Sequence, residues 1–192
     1  YLVGASGEYV DIGSEKNKLY MNAMVSWALY DFYDKNPVST NFYKKRDNLT
    51  SDDKAFLTYA YIYNKKDSRV REQYISGDYY NIVSQADLMS IMRDLTGSSN
   101  ESDIRAFARY GELKGGQYVI EGSGSFGDAG IAYPAYEGMY VSIEGNRAKV
   151  SGDLVAYNGS DRYTPVKRYT AYFTLSNAAD MGFLMFDELN VQ

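Results

Sequence analysis

The chain has 192 residues, of which 45% are hydrophobic and 23% are charged, and its net charge is −5. This balance excludes a disordered chain, and the lack of a dense basic stripe argues against a nucleic-acid partner. Because the sequence contains no cysteine and no histidine, disulfides, thiolate metal sites and catalysis by histidine are excluded. We expect no cofactor and no metal site. No transmembrane segment is expected either, since no apolar run approaches roughly 18 residues.

The first 16 residues differ from the rest of the chain. They contain Gly4, Gly7 and Gly13 without a sustained hydrophobic period, which indicates an N-terminal arm or tether. Residues 17–192 are predicted to form a single α+β domain, with a helical part over 17–111 and a β-meander over 116–191. A first helix is predicted from Lys18 to the Asn36-Pro37 pair, and its apolar stripe consists of Met21, Met24, Val25, Ala28, Leu29 and Phe32.

A second helix is predicted to begin at Thr50 to Asp53, where a hydroxyl and a carboxylate three residues apart can satisfy exposed N–H groups. Its apolar face consists of Ala55, Phe56, Tyr59, Ile62 and Tyr63. A helical turn is predicted next, over Ser68 to Tyr74, and Gly77 should close it.

The capping pattern recurs at Ser84 and Asp87, which predicts a third helix ending at Gly97 in a left-handed conformation. Apolar residues at helical spacing support this helix, namely Leu88, Ile91, Met92 and Leu95. A short helix over Glu101 to Tyr110 should follow it and bury Ile104, Phe107 and Ala108.

After Gly115-Gly116 the hydrophobic period falls from 3.6 to 2, which marks a change from helices to strands. The first strand is predicted at Tyr118, and a two-residue turn at Gly145-Asn146 joins two alternating strands. A long strand around Tyr169 and a last strand over Phe183 to Val191 follow with short connections. The predicted fold class is therefore α+β, with N-terminal helices packed on a four- to five-stranded antiparallel β-meander.

The string from Gly122 to Gly127 matches the GxGxxG pattern of dinucleotide-binding proteins. In those proteins the pattern opens a helix whose N-terminus meets the pyrophosphate. Here the following residues, Asp128 to Glu137, contain Gly130 and Pro134 and no helical stripe. The string is therefore interpreted as a loop between strands.

Aromatic and acidic residues in and after this loop form the predicted ligand site, because tyrosine rings beside a sheet can stack on sugar or hold a peptide. The predicted ligand-binding residues are Phe126, Asp128, Tyr133, Tyr136, Glu137 and Tyr140. The leading hypothesis is a non-catalytic binding or adaptor domain for a peptide, protein or glycan. One alternative is a glycoside hydrolase with Asp128 and Glu137 as its carboxylate pair. Another is a structural module of a larger envelope protein.

The run of Ile82, Val83, Ser84, Asp87, Leu88, Ile91, Leu95 and Gly97, followed by a tyrosine-rich meander with a Gly-Asn hairpin, resembles uncharacterised extracytoplasmic domains of Gram-positive bacteria, often borne on lipoproteins. The resemblance covers residues 79 to 192 and implies a secreted or envelope-associated bacterial protein. Its motifs are caps and turns, so it implies no catalytic residue. By analogy, the architecture is also similar to cystatin-like and NTF2-like folds. Since the chain begins at Tyr1, an upstream signal peptide or lipid anchor is expected.

Overall fold

The computed structural model of the protein describes residues 2–3, 9–10, 41–64, 67–122, 133–134, 140–157, 163–176 and 183–192. The helix predicted from Lys18 lies outside these residues, and so does most of the segment from Gly122 to Glu137. The described residues combine helices with antiparallel sheets, which confirms the α+β class.

The strands and helices follow one another along the chain without a simple division into halves. The strands are β1 (Leu2–Val3), β2 (Tyr9–Val10), β3 (Phe42–Lys45), β4 (Val70–Ile75), β5 (Asp78–Ser84), β6 (Glu112–Lys114), β7 (Gln117–Glu121), β8 (Tyr133–Pro134), β9 (Tyr140–Glu144), β10 (Arg147–Tyr157), β11 (Tyr163–Ser176) and β12 (Phe183–Val191). The helices are α1 (Ser51–Asn64), α2 (Gln85–Thr96) and α3 (Glu101–Ala106), with 3₁₀ segments at Arg46–Asn48 and Phe107–Arg109.

The larger sheet has the order β3-β12-β11-β10, and β8 and β9 both pair with the remaining edge of β10. All its pairings are antiparallel, so β9 to β12 form a meander of consecutive neighbours. The predicted turn joins β9 to β10, and its first residue, Gly145, has a φ of 61°. That conformation is favourable for glycine because it has no Cβ.

A smaller antiparallel sheet has the order β4-β5-β7-β6. The strand predicted at Tyr118 is β7, and it belongs to this sheet, so its assignment to the meander is wrong. The fifth strand beside the meander is β3, which pairs with the C-terminal strand β12. No signal in the sequence indicates that pairing, because the paired residues run from Glu188 with Lys45 to Val191 with Phe42 and lie far apart along the chain.

The helical turn predicted over Ser68 to Tyr74 is also wrong. Val70–Ile75 is the edge strand β4, and it continues through a tight turn into β5. Tyr74 and Ile75 are 75% and 41% exposed, so these neighbouring apolar residues do not mark a buried helical face. An edge strand with little burial lacks the alternation by which a strand is recognised in a sequence.

The predicted caps of α1 and α2 are present. Asp53 N donates to Thr50 Oγ1 and Thr50 N donates to Asp53 Oδ2, at 3.1 and 2.9 Å. Asp87 N donates to Ser84 Oγ at the start of α2, and Gly97 at its end has a φ of 83°. In the short fourth predicted helix, Ile104 and Phe107 are buried as expected but Ala108 is exposed.

One hydrophobic cluster joins the helices to both sheets. It includes Leu57 from α1, Leu88 from α2, Ile120 from the smaller sheet and Phe173 from the larger one, and each of these side chains is fully buried. The inner face of β11 alternates as predicted, with Tyr169, Ala171 and Phe173 buried. This cluster leaves the opposite face of the larger sheet to solvent.

A partly buried ionic network, centred on the buried carboxylate of Asp67, holds the segment between α1 and β4. Arg69 contacts Asp67 through two nitrogens, at 3.0 and 2.9 Å, and reaches Asp94 on α2 at 2.7 Å. The buried hydroxyl of Tyr61 donates to Asp67 at 2.8 Å. Burial alone would raise the pKa of the Asp67 carboxyl, but the hydrogen bonds from Arg69 and Tyr61 and the charge of Arg69 lower that pKa below its ordinary value.

Candidate functional site

The solvent-facing side of the larger sheet carries a continuous row of five residues, one from each of five strands. Tyr43 on β3 is paired directly with Asn190, Asn190 with Thr170, Thr170 with Ser151, and Ser151 with Tyr140. Directly paired residues of antiparallel strands point to the same face of a sheet. We call these five residues the outer row.

The side chains of the outer row point to solvent. Successive residues of a strand point to opposite faces, and the residues beside the outer row along each strand point to the core. Tyr43 is 50% exposed and Tyr140 is 68% exposed, while the three residues between them are partly exposed. The inward-pointing neighbours are buried, namely Val150, Gly152, Tyr169, Ala171, Leu189 and Val191. Alternation along each strand therefore produces a polar outer face directly from the pattern of the core.

The outer row has large rings at its ends and small polar side chains in its centre. Four steps between neighbouring strands separate Tyr43 from Tyr140, which corresponds to about 19 Å. Between them lie the amide of Asn190 and the hydroxyls of Thr170 and Ser151, which offer both donors and acceptors. No hydrogen bond of these three side chains is found among the described residues.

Charged residues on either side of the outer row are paired with one another. Arg147 lies 3.7 Å from the Glu188 carboxylate, and its guanidinium is 4.1 Å from the ring centroid of Tyr172. Across the outer row, Arg168 lies 3.3 Å from Asp153. These exposed ion pairs contribute little to stability, but they reduce the net charge that a ligand meets along the outer row.

The β-bulge in β12 adds a further polar contact at the margin of the outer face. Tyr172 pairs with Glu188 and Phe173 pairs with Phe186, so Asp187 is the extra residue. Its carboxylate accepts a hydrogen bond from Thr174 at 2.8 Å and lies 3.3 Å from Arg46. Bulges commonly redirect side chains. Here the bulge brings the Asp187 carboxylate into contact with Thr174 on β11 and Arg46 in the 3₁₀ segment.

The structure describes part of the ligand site predicted from the sequence. Tyr140 is exposed at one end of the outer row. The backbone of Tyr133 lies in β8 and pairs with Val155, on the same edge of β10 that pairs with β9. The other predicted residues, Phe126, Asp128, Tyr136 and Glu137, lie outside the described residues, so their part in a site stays a prediction.

The first glycine of the GxGxxG string has a packing role. A Cβ at Gly122 would overlap the ring of Tyr79, and the Gly122 N–H donates to the Tyr79 carbonyl at 2.7 Å. Close approach of a ring to the backbone therefore explains this glycine without a nucleotide.

The buried carboxylates that the structure describes have structural contacts. Asp53 caps α1 and accepts from Lys44 at 2.8 Å. Asp103 caps α3 and accepts from Ser51 and Lys54, while Asp67 belongs to the Arg69 network. Within the described part of the chain, no group of three or more acidic residues is arranged to hold a metal ion. The proposed hydrolase pair, Asp128 and Glu137, lies outside that part.

Sequence reasoning missed four of the five residues of the outer row. Tyr43, Ser151, Thr170 and Asn190 have no distinctive spacing, because they come from strands that are neighbours in space but separated along the chain. The alternation in β10 and β11 identifies which side chains face solvent. The register that aligns them across the sheet has no signal in the sequence of any one strand.

Comparison with protein-family models, with curated proteins and with solved structures gave no significant match to this chain. Among the described residues, no helix is both long and apolar enough to cross a membrane.

Proposed function

We propose that this chain is a non-catalytic, extracytoplasmic binding domain that recognises a neutral glycan through the outer row. The observation that carries the proposal is the alignment of two exposed tyrosines, Tyr43 and Tyr140, with three small polar side chains between them. The axial C–H bonds of a pyranose ring form a weakly positive face that packs on an aromatic ring, whose face is negative. Hydroxyl groups of the sugar would meet the polar centre of the row.

A glycan fits this surface better than a folded protein partner does. Stable protein interfaces depend on apolar or aromatic anchors near their centre, surrounded by a polar rim. The outer row has the reverse arrangement, with rings at its ends and an amide and two hydroxyls in its centre. Because the neighbouring ion pairs Arg147–Glu188 and Arg168–Asp153 are already formed, the surface favours a ligand without charge.

The segment from Gly122 to Glu137 extends the proposed site. Support comes from the backbone pairing of Tyr133 with Val155, at the same edge of β10 where β9 brings Tyr140. A tyrosine-bearing segment beside the end of the outer row would add a third stacking surface. The extracytoplasmic location is supported by the abundance of tyrosine, 21 residues, and by the absence of cysteine.

The proposal is tested by affinity electrophoresis and calorimetry with neutral polysaccharides: cellulose, xylan, mannan and starch. We expect at least one of them to bind, and we expect Tyr43→Ala and Tyr140→Ala each to weaken that binding roughly two- to tenfold, since a ring contact contributes about 0.5–1.5 kcal/mol. The combined variant should abolish binding. Tyr133→Ala with Tyr136→Ala tests the extension of the site in the same assay.

Tyr74→Ala is the matched control, because Tyr74 is 75% exposed but belongs to the smaller sheet. It should bind as the unmodified chain does. Affinity should also change little as salt is raised, since screening acts on charged pairs. The proposal would be wrong if the outer-row variants bound normally, if no neutral polysaccharide bound, or if high salt abolished binding.

A further inference from the structure

A concave surface is lined by residues of α1, of the segment from Ala108 to Glu112 and of the smaller sheet. It is a cleft with a volume of ≈ 520 Å³, within the range of small-molecule sites. On one side Tyr59 of α1 stacks on Tyr110, with ring centroids 4.6 Å apart and planes inclined by 18°. On the other side Tyr80 and Glu121 are direct cross-strand partners on β5 and β7.

The two cations that line this cleft, Arg109 and Lys114, each lie close to a carboxylate. Lys114 lies 2.7 Å from Glu112, and Arg109 lies 3.6 Å from Asp52, so each lining cation already faces a carboxylate. Within the described part of the chain, no cation lies within 4.0 Å of Glu121. Among the described residues, Glu121 is therefore the lining carboxylate that has no cation within 4.0 Å, and it stands beside Tyr80.

Glu121 also affects Tyr59, in the aromatic wall on the other side of the cleft. Burial raises the pKa of the Tyr59 hydroxyl, and electrostatic interactions with Tyr63 and with the Glu121 carboxylate raise it further. A negative charge close enough to affect Tyr59 is also close enough to attract a cation held against that wall.

We propose that this cleft binds an organic ammonium ion, with Glu121 as the counter-charge and Tyr80 and Tyr59 as the aromatic walls. Aromatic faces attract cations through their negative quadrupole, and an ammonium group loses less on leaving water when a carboxylate stands beside it. This site is separate from the outer row, and it does not depend on the glycan proposal.

The test compares choline with 3,3-dimethylbutan-1-ol, which has the same shape but no charge, by NMR titration of the folded chain. Choline should bind and shift the ring signals of Tyr59 and Tyr80, whereas the neutral alcohol should bind at least tenfold more weakly. Equal binding of the two compounds, or binding of neither, would overturn the proposal.

Substitutions of Glu121 and Tyr80 test whether these residues bind choline. Glu121→Gln removes the charge with little change in shape, and it should weaken choline binding about tenfold. Glu101→Gln is the matched control, since Glu101 is an exposed carboxylate on α3 with only a 4.0 Å contact to Arg105. Tyr80→Leu retains an apolar side chain without the ring and should weaken binding several-fold. Normal binding by Glu121→Gln would contradict the proposal.

An ammonium group could belong to an amino sugar or to a lysine side chain, and two further probes separate these sources. Glucosamine is compared with N-acetylglucosamine, and a lysine methylamide with its Nε-acetyl form. Charge-dependent binding of either probe supports the cleft and identifies the source, while binding of neither contradicts it. Tyr43→Ala and Tyr140→Ala should leave choline binding unchanged, so failure of one proposal is distinguishable from failure of the other.

Discussion

Two buried tyrosines differ in what the hydroxyl group contributes to stability, because one hydroxyl has a hydrogen-bond partner and the other has none among the described residues. The Tyr61 hydroxyl donates to buried Asp67 at 2.8 Å, whereas the Tyr169 hydroxyl has no hydrogen-bond partner among the residues that the structure describes. Gly152 explains the position of Tyr169, because a Cβ at Gly152 would lie 3.0 Å from that hydroxyl. Burial, with the charge of Asp153, raises the pKa of Tyr169 to about 12.

We therefore expect Tyr61→Phe and Tyr169→Phe to differ in their effect on the free energy of unfolding. Tyr61→Phe should lower it by about 1–2 kcal/mol, because the buried carboxylate of Asp67 loses a donor. Tyr169→Phe should leave it unchanged or raise it, because an unsatisfied buried hydroxyl is removed. Urea unfolding followed by circular dichroism measures both variants, and equal losses in the two would contradict this expectation.

At the scale of elements, the hairpin between β4 and β5 depends on a turn that the sequence analysis did not recognise. Its central residues, Ser76 and Gly77, have φ values of 53° and 94°. Positive φ at both positions is the requirement of a type I′ turn, which favours Asn-Gly. Serine is less suited than asparagine to the left-handed region because its side chain seldom compensates for the strain there.

Ser76→Asn should therefore stabilise the protein. The expected gain in the free energy of unfolding is about 0.5 kcal/mol, since the backbone keeps its conformation with less strain. Ser76→Val is the contrasting variant and should be destabilising, because a β-branched side chain is a genuine outlier at positive φ. Thermal unfolding checks both changes, and an unchanged or lower midpoint for Ser76→Asn would contradict this expectation.

At the scale of the whole molecule, the shared hydrophobic cluster makes the two sheets depend on each other. Leu95 is fully buried in that cluster, while Leu113 on β6 is 51% exposed. Leu95→Ala should lower the free energy of unfolding by about 2–5 kcal/mol, because a cavity remains where the side chain was removed. Leu113→Ala, the control, should have an effect near zero.

The same variant tests cooperativity. Hydrogen exchange of β7 in the smaller sheet and of β11 in the larger one should accelerate together in Leu95→Ala, since both sheets pack on the cluster. Acceleration in one sheet alone would show that the sheets unfold as separate units.

Much of the fold was predictable because it depends on local chemistry. The caps at Thr50, Ser84 and Gly97 act within a single turn of chain, so residue type and spacing identify them. Alternation in β10 and β11 likewise predicted which side chains are buried, because the core selects every second residue of a strand. The turn at Gly145 followed from the preference of glycine for positive φ.

The pairing of distant segments was decided by tertiary structure alone. The sequence placed Tyr118 in a strand but not in its sheet, and it contained no signal for the pairing of β3 with β12. The same limit applies to the outer row: alternation predicts that Thr170 and Ser151 face solvent, but only the register across five strands aligns them between Tyr43 and Tyr140. Hydrogen bonding between strands is nearly independent of side-chain identity, so register depends on the packing of the whole core.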